Sequence, residues 1–525
     1  MKDLHTIGTK TRLSEVVAAI ALAADLGLGQ PLDHVLRSCV IATRFAERLG
    51  LSPEDRDATY WVTLFMLAGC TGASFELSRV FGDDIAFRSG VMAVDGSTIQ
   101  VIRFVLGRAG SDRGRLERLR VRAGLLASKM TPLEQSFLAH CAISANLAER
   151  MGLGETVVTS LWQTFARWDG KGLPKGLGGK DVLVPIQIAN LANIVEYWER
   201  ERDVAASCAA IRRFSGSSFD PKLVDAWCDS AAELVEGVDA ESAWDRVVAG
   251  EPGRRGPLDD SELDRALELI ADYADLKSPY FTGHSRAVSS LAVAAAKRAN
   301  LPGSELTTLR RAALVHDIGR NGVPNSIWDR QGPLTAAETE RVRLHAYYTD
   351  RVLHRAGGLV QLGAIASAAH ERADGSGYPR GLAASMTPLL GRFLAAADVY
   401  QAMVEDRPHR RALPRLAAAA ELRRMARSGE LDGMATDAVL TAAGLPSRRK
   451  PSAPAGLTSR EVEVLMLAAR GFTMKAVAGA LGIAPKTAGN HIERIYMKVG
   501  ISTRAEAAMF AMQHGLVSSW ETPET

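Results

Sequence analysis

The sequence predicts a mainly α protein: two tandem helical domains related by duplication, followed by a small helix-turn-helix module. Three observations carry that expectation. Apolar residues recur at about 3.6 positions along nearly the whole chain, as in LTTLRRAALVHDIG, and strand-like alternation is scarce. Ala and Leu dominate while aromatic residues make up only 6%, a composition that favours helices. The chain also repeats itself. At 525 residues it is too long for one core, so about three domains are expected.

The repeat is legible in two places. PLDHVLRSCVIATRFAERLGL (31–51) parallels YFTGHSRAVSSLAVAAAKRANL (280–301), each with a histidine, His34 or His284, near the start of an amphipathic helix. FARWDGKGLPKGLGG (165–179) parallels HERADGSGYPRGLAA (370–384), sharing an Asp-Gly-x-Gly-x-Pro-x-Gly-Leu frame. His140 stands 25 positions before Phe165, and His345 stands 25 before His370. The copies part where chemistry would sit. Leu67-Ala68-Gly69-Cys70 is read opposite Val315-His316-Asp317, Thr164-Phe165 opposite Ala369-His370, and Asn193 opposite Asp398. A metal site does not survive such losses, so the first copy is expected to be inert.

The expected boundaries are 1–230 for the first copy, 231–262 for a linker, and 263–443 for the second copy. A further linker, 444–456, precedes the last module at 457–520. The first linker is signalled by AGEPGRRGPLDDSE, the second by GLPSRRKPSAPAG with its prolines and basic run.

Bulk properties exclude some classes. No apolar run approaches the roughly 20 residues of a membrane helix. The N-terminal stretch has no secretory apolar region. The five cysteines show no CxxC pairing and read as reduced core thiols of a cytoplasmic protein. A net charge of +3 is too small to imply a polyanionic partner for the whole chain, so any DNA-binding face is local.

In the second copy, His284, His316, Asp317, His345, His370 and Asp398 supply the imidazoles and carboxylates of a hydrolytic metal site. On a helix His316 and Asp317 point about 100° apart, so each can face a different part of one site. A carboxylate there can bridge two ions, and ions about 3.5–4 Å apart activate water and clamp a phosphoryl group. The ligand set suits one or two divalent ions of Fe, Mn, Zn or Ni without choosing between them.

Residues 280–412 resemble an HD-GYP domain, a branch of the HD phosphohydrolases. The resemblance rests on HSRAV at His284, HDIGR at His316, Leu334-Thr335 with Glu338, Arg343 and His345, the HERADGSGYP turn, and Pro388, Arg392 and Asp398. It implies hydrolysis of cyclic di-GMP with two or three metals, a catalytic role for Asp317 and Arg320, and ligand contacts by Arg320, Gly377, Tyr378 and Arg392. Four departures stand out. Ala369 replaces the first of two tandem histidines and removes a ligand of the second metal. Arg320 replaces a lysine and would hold phosphate as a fork, not a point charge. Tyr280 replaces the carboxylate that permits a third metal. Gln401 replaces an aspartate.

The C-terminal segment begins with a capping-box spacing, Thr458 to Glu461. Gly471 ends the first helix, Lys475–Leu481 forms a second, Gly482 breaks it, and Pro485 opens a third. Such short helices with tight turns define a helix-turn-helix, whose later helix enters the major groove. Lys475, Lys486, Thr487, Asn490, His491, Arg494 and Lys498 are the expected duplex DNA contacts, with Lys486 and Lys498 on phosphate and Asn490 on a base edge.

This segment resembles the LuxR-type helix-turn-helix, a four-helix domain, through LTSREVEVL, AVAGALGI and the Thr487–His491–Ile495–Lys498 run. Its departure is Ala488-Gly489, where a basic groove contact is usual, and Glu493 is an awkward charge to bring near DNA. The resemblance implies that the last helix, Thr503–His514, supports a homodimer. The whole chain is expected to be a transcriptional regulator whose HD-GYP-like domain senses or weakly hydrolyses a cyclic dinucleotide such as cyclic di-GMP or a related phosphoester. The alternative is an active cyclic di-GMP phosphodiesterase regulated by its DNA-binding domain. Neither reading needs a membrane.

Overall fold

The computed structural model describes residues 11–94, 98–128, 130–238, 242–254, 256–445, 454–514 and 516. Among them the chain is helical throughout; no strand forms, only isolated β-bridges. It divides into two compact units, Met1–Leu445 and Pro446–Thr525. No helix among the described residues is long and apolar enough to cross a membrane.

Both copies lie in the first unit and share one continuous hydrophobic core. The helix Leu13–Leu28, LSEVVAAIALAADLGL, is apolar on every side, the pattern of a fully buried helix. Val16 through Ala23 have no exposed surface. Close by, Gly27 lies against Asn321 of the second copy: a β-carbon there would sit 3.6 Å from the Asn321 carbonyl oxygen. The segment 231–262, expected as a linker, carries the end of the helix Pro221–Val235 and a further helix, Ala243–Ala249. Trp244 and Val247 of that helix are buried in the shared core, which is why the Gly/Pro signal around 250 does not mark a loose tether. The second linker lies largely outside the described residues.

The duplication is visible in matched contacts. Asp25 accepts from the Val35 amide and Asp275 from the Ser285 amide, so each caps the helix that carries His34 or His284. Gly69 and Gly319 play one role. A β-carbon on either would lie 2.1 Å from a carbonyl oxygen, that of His140 or of His345. Each glycine therefore lets the helix bearing His140 or His345 approach backbone to backbone.

That match corrects the register of the sequence reading. With Gly69 on Gly319, Met66 stands opposite His316, Leu67 opposite Asp317 and Cys70 opposite Arg320. Ala68 and Gly69 do not occupy ligand positions. The ligand losses remain, by a methionine and a leucine. Between Gly69 and His140 the first copy also carries the helices Ser74–Phe81, Asp84–Met92, Thr98–Arg108 and Arg115–Ala127. Between Gly319 and His345 the second has only Asn325–Trp328 and the start of Ala336–Arg355.

In the second unit, Thr458 and Glu461 form the capping box read from the sequence. Gly471 and Gly482 take the left-handed conformation at the helix ends, and Pro485 stands in the first turn of the helix Pro485–Val499. Val464, Leu465, Val477, Ala488, Ile495, Ala507 and Ala511 form its core.

Candidate functional site

The helix Gly303–Val315 stops at His316-Asp317, where the chain tightens into the turn Ile318–Gly322. This break aims both side chains at one point. His284 arrives from the first turn of its helix, His345 from the middle of Ala336–Arg355, His370 from the end of the short turn Ser367–His370, and Asp398 from Leu389–Val404. All six are buried.

They fall into two groups that share Asp317. In the first, His284 Nε2 lies 3.1 Å from Asp398 Oδ1 and 3.7 Å from Asp317 Oδ2, and His316 Nε2 lies 2.8 Å from Asp317 Oδ2. In the second, Asp317 Oδ1 lies 3.5 Å from His345 Nε2 and 3.7 Å from His370 Nε2. The two Nε2 atoms of His345 and His370 face each other at 2.7 Å.

The other ring nitrogens fix the tautomers. His316 Nδ1 donates to the Ala313 carbonyl at 2.7 Å, and His345 Nδ1 to that of Val342. This leaves Nε2 of each aimed inward at the cluster, the orientation found around metal ions. Among the described residues, Asp317 Oδ1 is buried without a hydrogen-bond partner, and the close contact of His316 Nε2 with Asp317 Oδ2 lacks hydrogen-bond geometry. Orphaned buried polar atoms are costly and call for an occupant. The donor set of imidazoles and carboxylates fits a divalent ion.

The electrostatics agree. Burial pulls the His316 imidazole down, but the carboxylates of Asp317 and Asp398 outweigh it and lift it to about 10. Burial opposes charge on Asp317, yet Arg320 and His316 hold it well below the usual carboxylate range. Asp398 is likewise held far down, by His284 and His316 against its burial. His370 is pressed to about 4 by burial and by His345. The cluster keeps its carboxylates charged and draws positive charge.

Arg320 reaches Asp317, and its guanidinium lies 4.1 Å from the Phe281 ring centre and 5.8 Å from that of Trp328. Its Nε and Nη1 are buried without a partner, so donors remain for a ligand anion. Tyr378 stacks on His370 with ring centres 5.1 Å apart and nearly parallel planes, and the Arg343 guanidinium lies 5.8 Å from the Tyr378 ring centre. Gly377 is a structural requirement: a β-carbon there would sit 2.3 Å from the Arg372 amide.

Arg392 does not join the site. Its guanidinium is bonded to the carbonyls of Thr387 and Ala384 and to Asp432. These three bonds brace the loop before its own helix, and none of them is to the six-residue cluster. Ala369 is fully buried within the hydrophobic core. Sequence reasoning also missed Glu405, which meets His284 Nδ1 at 2.8 Å, and Phe281 and Trp328, which frame Arg320.

In the first copy the same place is closed. His34 Nε2 lies 2.8 Å from Asn193 Oδ1 and Nδ1 meets Glu196. His140 bonds the Met66 carbonyl and packs on Phe165. His34→Ala should lower stability by about 1–3 kcal/mol, by leaving Glu196 short of a partner, yet leave the metal content of the full chain unchanged. Elemental analysis beside thermal melting checks this.

On the helix-turn-helix, Lys475, Lys486, Thr487, Asn490 and Arg494 are exposed and His491 is half-buried. Lys498 differs. Its ammonium lies 2.7 Å from the buried Glu461 carboxylate and 3.3 Å from the Gly456 carbonyl. It ties the helix Pro485–Val499 to the first helix while the residue stays exposed. The last helix, Arg504–Gln513, spends Ala507 and Ala511 on its own core and exposes Met509 and Met512.

A buried carboxylate-bridged histidine cluster in a helical fold defines the class of an HD-domain protein. Residues 268–434 match the family model described as HD domain, and residues 455–511 that of bacterial regulatory proteins, luxR family. The 3'3'-cGAMP-specific phosphodiesterase 3 of Vibrio cholerae is 31% identical over 410 residues, 77% of this chain and 88% of that protein. A cyclic di-GMP phosphodiesterase of Thermotoga maritima is 36% identical over 155 residues, 29% of this chain and 41% of its own length. The crystal structure of a cyclic GMP-AMP-specific phosphodiesterase of Vibrio cholerae superposes with a TM-score of 0.59 at 27% identity, covering 84% of this chain and all of that one. The chain belongs to the HD-GYP family of HD-domain proteins and carries a LuxR-type DNA-binding domain at its C-terminal end.

Proposed function

We propose that this chain is a DNA-binding regulator whose second HD-GYP copy is a metal-dependent phosphodiesterase acting on a cyclic dinucleotide. The observation that carries the reading is Asp317, which offers one carboxylate oxygen to each of two histidine groups. His284, His316, Asp317 and Asp398 would hold one ion, and Asp317, His345 and His370 the other. Divalent ions, when bound, would supply Lewis acidity at the phosphate and lower the pKa of a water so that hydroxide is on hand as the nucleophile. The chain's own residues orient the substrate. Arg320, pinned by Phe281, offers a planar pair of donors to a phosphate oxygen. Tyr378 walls the site beside His370. The names of the relatives support a cyclic dinucleotide as substrate class. The test is metal analysis of the purified chain coupled to hydrolysis of cyclic di-GMP and 3'3'-cGAMP. Metal-loaded protein that turns over neither one refutes the enzyme reading.

A second reading, sensing with little turnover, draws support from Ala369. The second group has three protein ligands where the first has four. Ala369→His, which would restore tandem histidines, must enter a filled core, and overpacking of that kind costs about 1–3 kcal/mol.

The DNA-binding helix is proposed to read duplex DNA through Lys486, Thr487, Asn490 and Arg494, as part of a homodimer. Lys486→Ala should weaken binding to all sequences alike and lower the salt slope by about one charge. Asn490→Ala should cost roughly 1–3 kcal/mol of discrimination at one base pair. Lys498→Ala should instead lower the melting temperature of the module, because Glu461 loses its partner. Binding to a selected site and to random duplex across salt concentrations separates the three.

A further inference from the structure

The first histidine of each copy uses both ring nitrogens, but the partner of Nδ1 comes from different positions. In the first copy His34 Nε2 faces Asn193 and Nδ1 meets Glu196, three residues further along the same helix. In the second copy His284 Nε2 faces Asp398 at 3.1 Å, and the residue three further on is Gln401, which has no carboxylate. Nδ1 is met by Glu405 Oε2 at 2.8 Å, from one turn beyond. The matching position in the first copy holds Arg200, whose Nε donates to Glu196 at 3.1 Å. Carboxylate and brace have thus exchanged places. Gln401 Nε2 donates to Glu405 Oε1 at 2.7 Å, and Arg407 Nη2 donates to Oε2 at 2.9 Å. Arg407 is anchored in turn on the Tyr280 carbonyl at 2.6 Å, and its guanidinium lies 5.4 Å from the Phe281 ring centre.

We propose that Glu405 is the positioning residue of His284, supplying from one turn further along the carboxylate that Gln401 lacks. A neutral imidazole has one proton to place. Glu405 holds it on Nδ1, so Nε2 presents its lone pair to the group formed with His316, Asp317 and Asp398. Arg407 and Gln401 hold the Glu405 carboxylate in line. Glu405 touches no substrate; it acts through the histidine. The inference rests on the metal-site reading of this cluster.

The test is Mn2+ binding, with no nucleotide present, to the full chain and its variants. Loss of a carboxylate that orients a ligating histidine commonly weakens metal binding about 10–100-fold. Glu405→Ala should show a loss in that range. Glu405→Gln, which keeps the shape and an acceptor oxygen but not the charge, should show a smaller one. Gln401→Glu combined with Glu405→Ala restores a carboxylate at the place Glu196 occupies in the first copy, and should recover most of the affinity. A purely structural role for Glu405 would give no such rescue. Unchanged affinity in Glu405→Ala and Glu405→Gln overturns the inference, and so does a loss that Gln401→Glu does not repair. Wild-type chain that binds no Mn2+ overturns the metal reading itself, a distinct outcome because it precedes any effect of Glu405.

Discussion

Asp317→Asn should abolish binding of both metal ions, not one. The side chain keeps its size but offers one neutral acceptor where two charged oxygens had faced two histidine groups. His345 Nε2 and His370 Nε2, 2.7 Å apart, would lose the charged oxygen that lies 3.5 and 3.7 Å from them. A residue that only supports a ligand costs at most about 100-fold in metal affinity, so loss of the shared ligand should exceed that for each ion. The effect also reads out in stability. An ion at 100 times its dissociation constant stabilises the folded state by about 2.7 kcal/mol. Wild-type chain should therefore melt higher as Mn2+ is added, and Asp317→Asn should not. If the variant keeps the wild-type metal content and the same rise in melting temperature, Asp317 is not a ligand and the two-group geometry has been misread. Loss of one ion alone would place Asp317 in a single group.

The six residues of the cluster were legible because each is announced by its own type and order along the chain. The helix-turn-helix was legible because its starts and stops are local: a capping box, two glycines and a proline. What escaped depends on who sits beside whom. The register at Met66-Leu67 turns on Gly69, and the need for glycine there is a carbonyl of His140 that a β-carbon would overlap. Lys498 and Arg392 were recognised as cations, but their partners, Glu461 and Asp432, lie far away along the chain. Glu405 was hidden because the carboxylate had moved one turn from the place the repeat points to. The shared core left one usable signal. The helix at Leu13–Leu28 is apolar on every face, and such a helix must be covered by more than its own copy.

Asp84→Ala should destabilise the whole first unit, because this carboxylate sits at the junction of the two copies with no solvent to replace it. Asp84 and Lys277 are both fully buried. Asp84 lies 3.0 Å from the Lys277 ammonium and 2.9 Å from Arg88, and accepts from the Asn325 amide at 2.8 Å. Lys277 and Asn325 belong to the second copy, Asp84 and Arg88 to the inserted helices of the first. Removing one partner of a buried pair leaves an uncompensated charge and costs about 3–5 kcal/mol. Here two cations lose the same anion, so the upper part of that range is expected. Acid should act in the same direction. Burial opposes the charge on Asp84, but Lys277 and Arg88 win and lower its folded pKa. A depressed carboxylate contributes stability that is present above its unfolded value, near 4, and lost as pH falls through the folded one. Wild-type chain should therefore lose stability at acid pH more steeply than Asp84→Ala, and the gap between their unfolding free energies should narrow there. Asp84→Ala combined with Lys277→Met removes the ammonium as well and should recover part of the loss. Denaturant melts at neutral and acid pH measure all three. If Asp84→Ala unfolds at the same denaturant concentration as wild type at neutral pH, the buried cluster does not hold the copies together, and their shared apolar core does so alone.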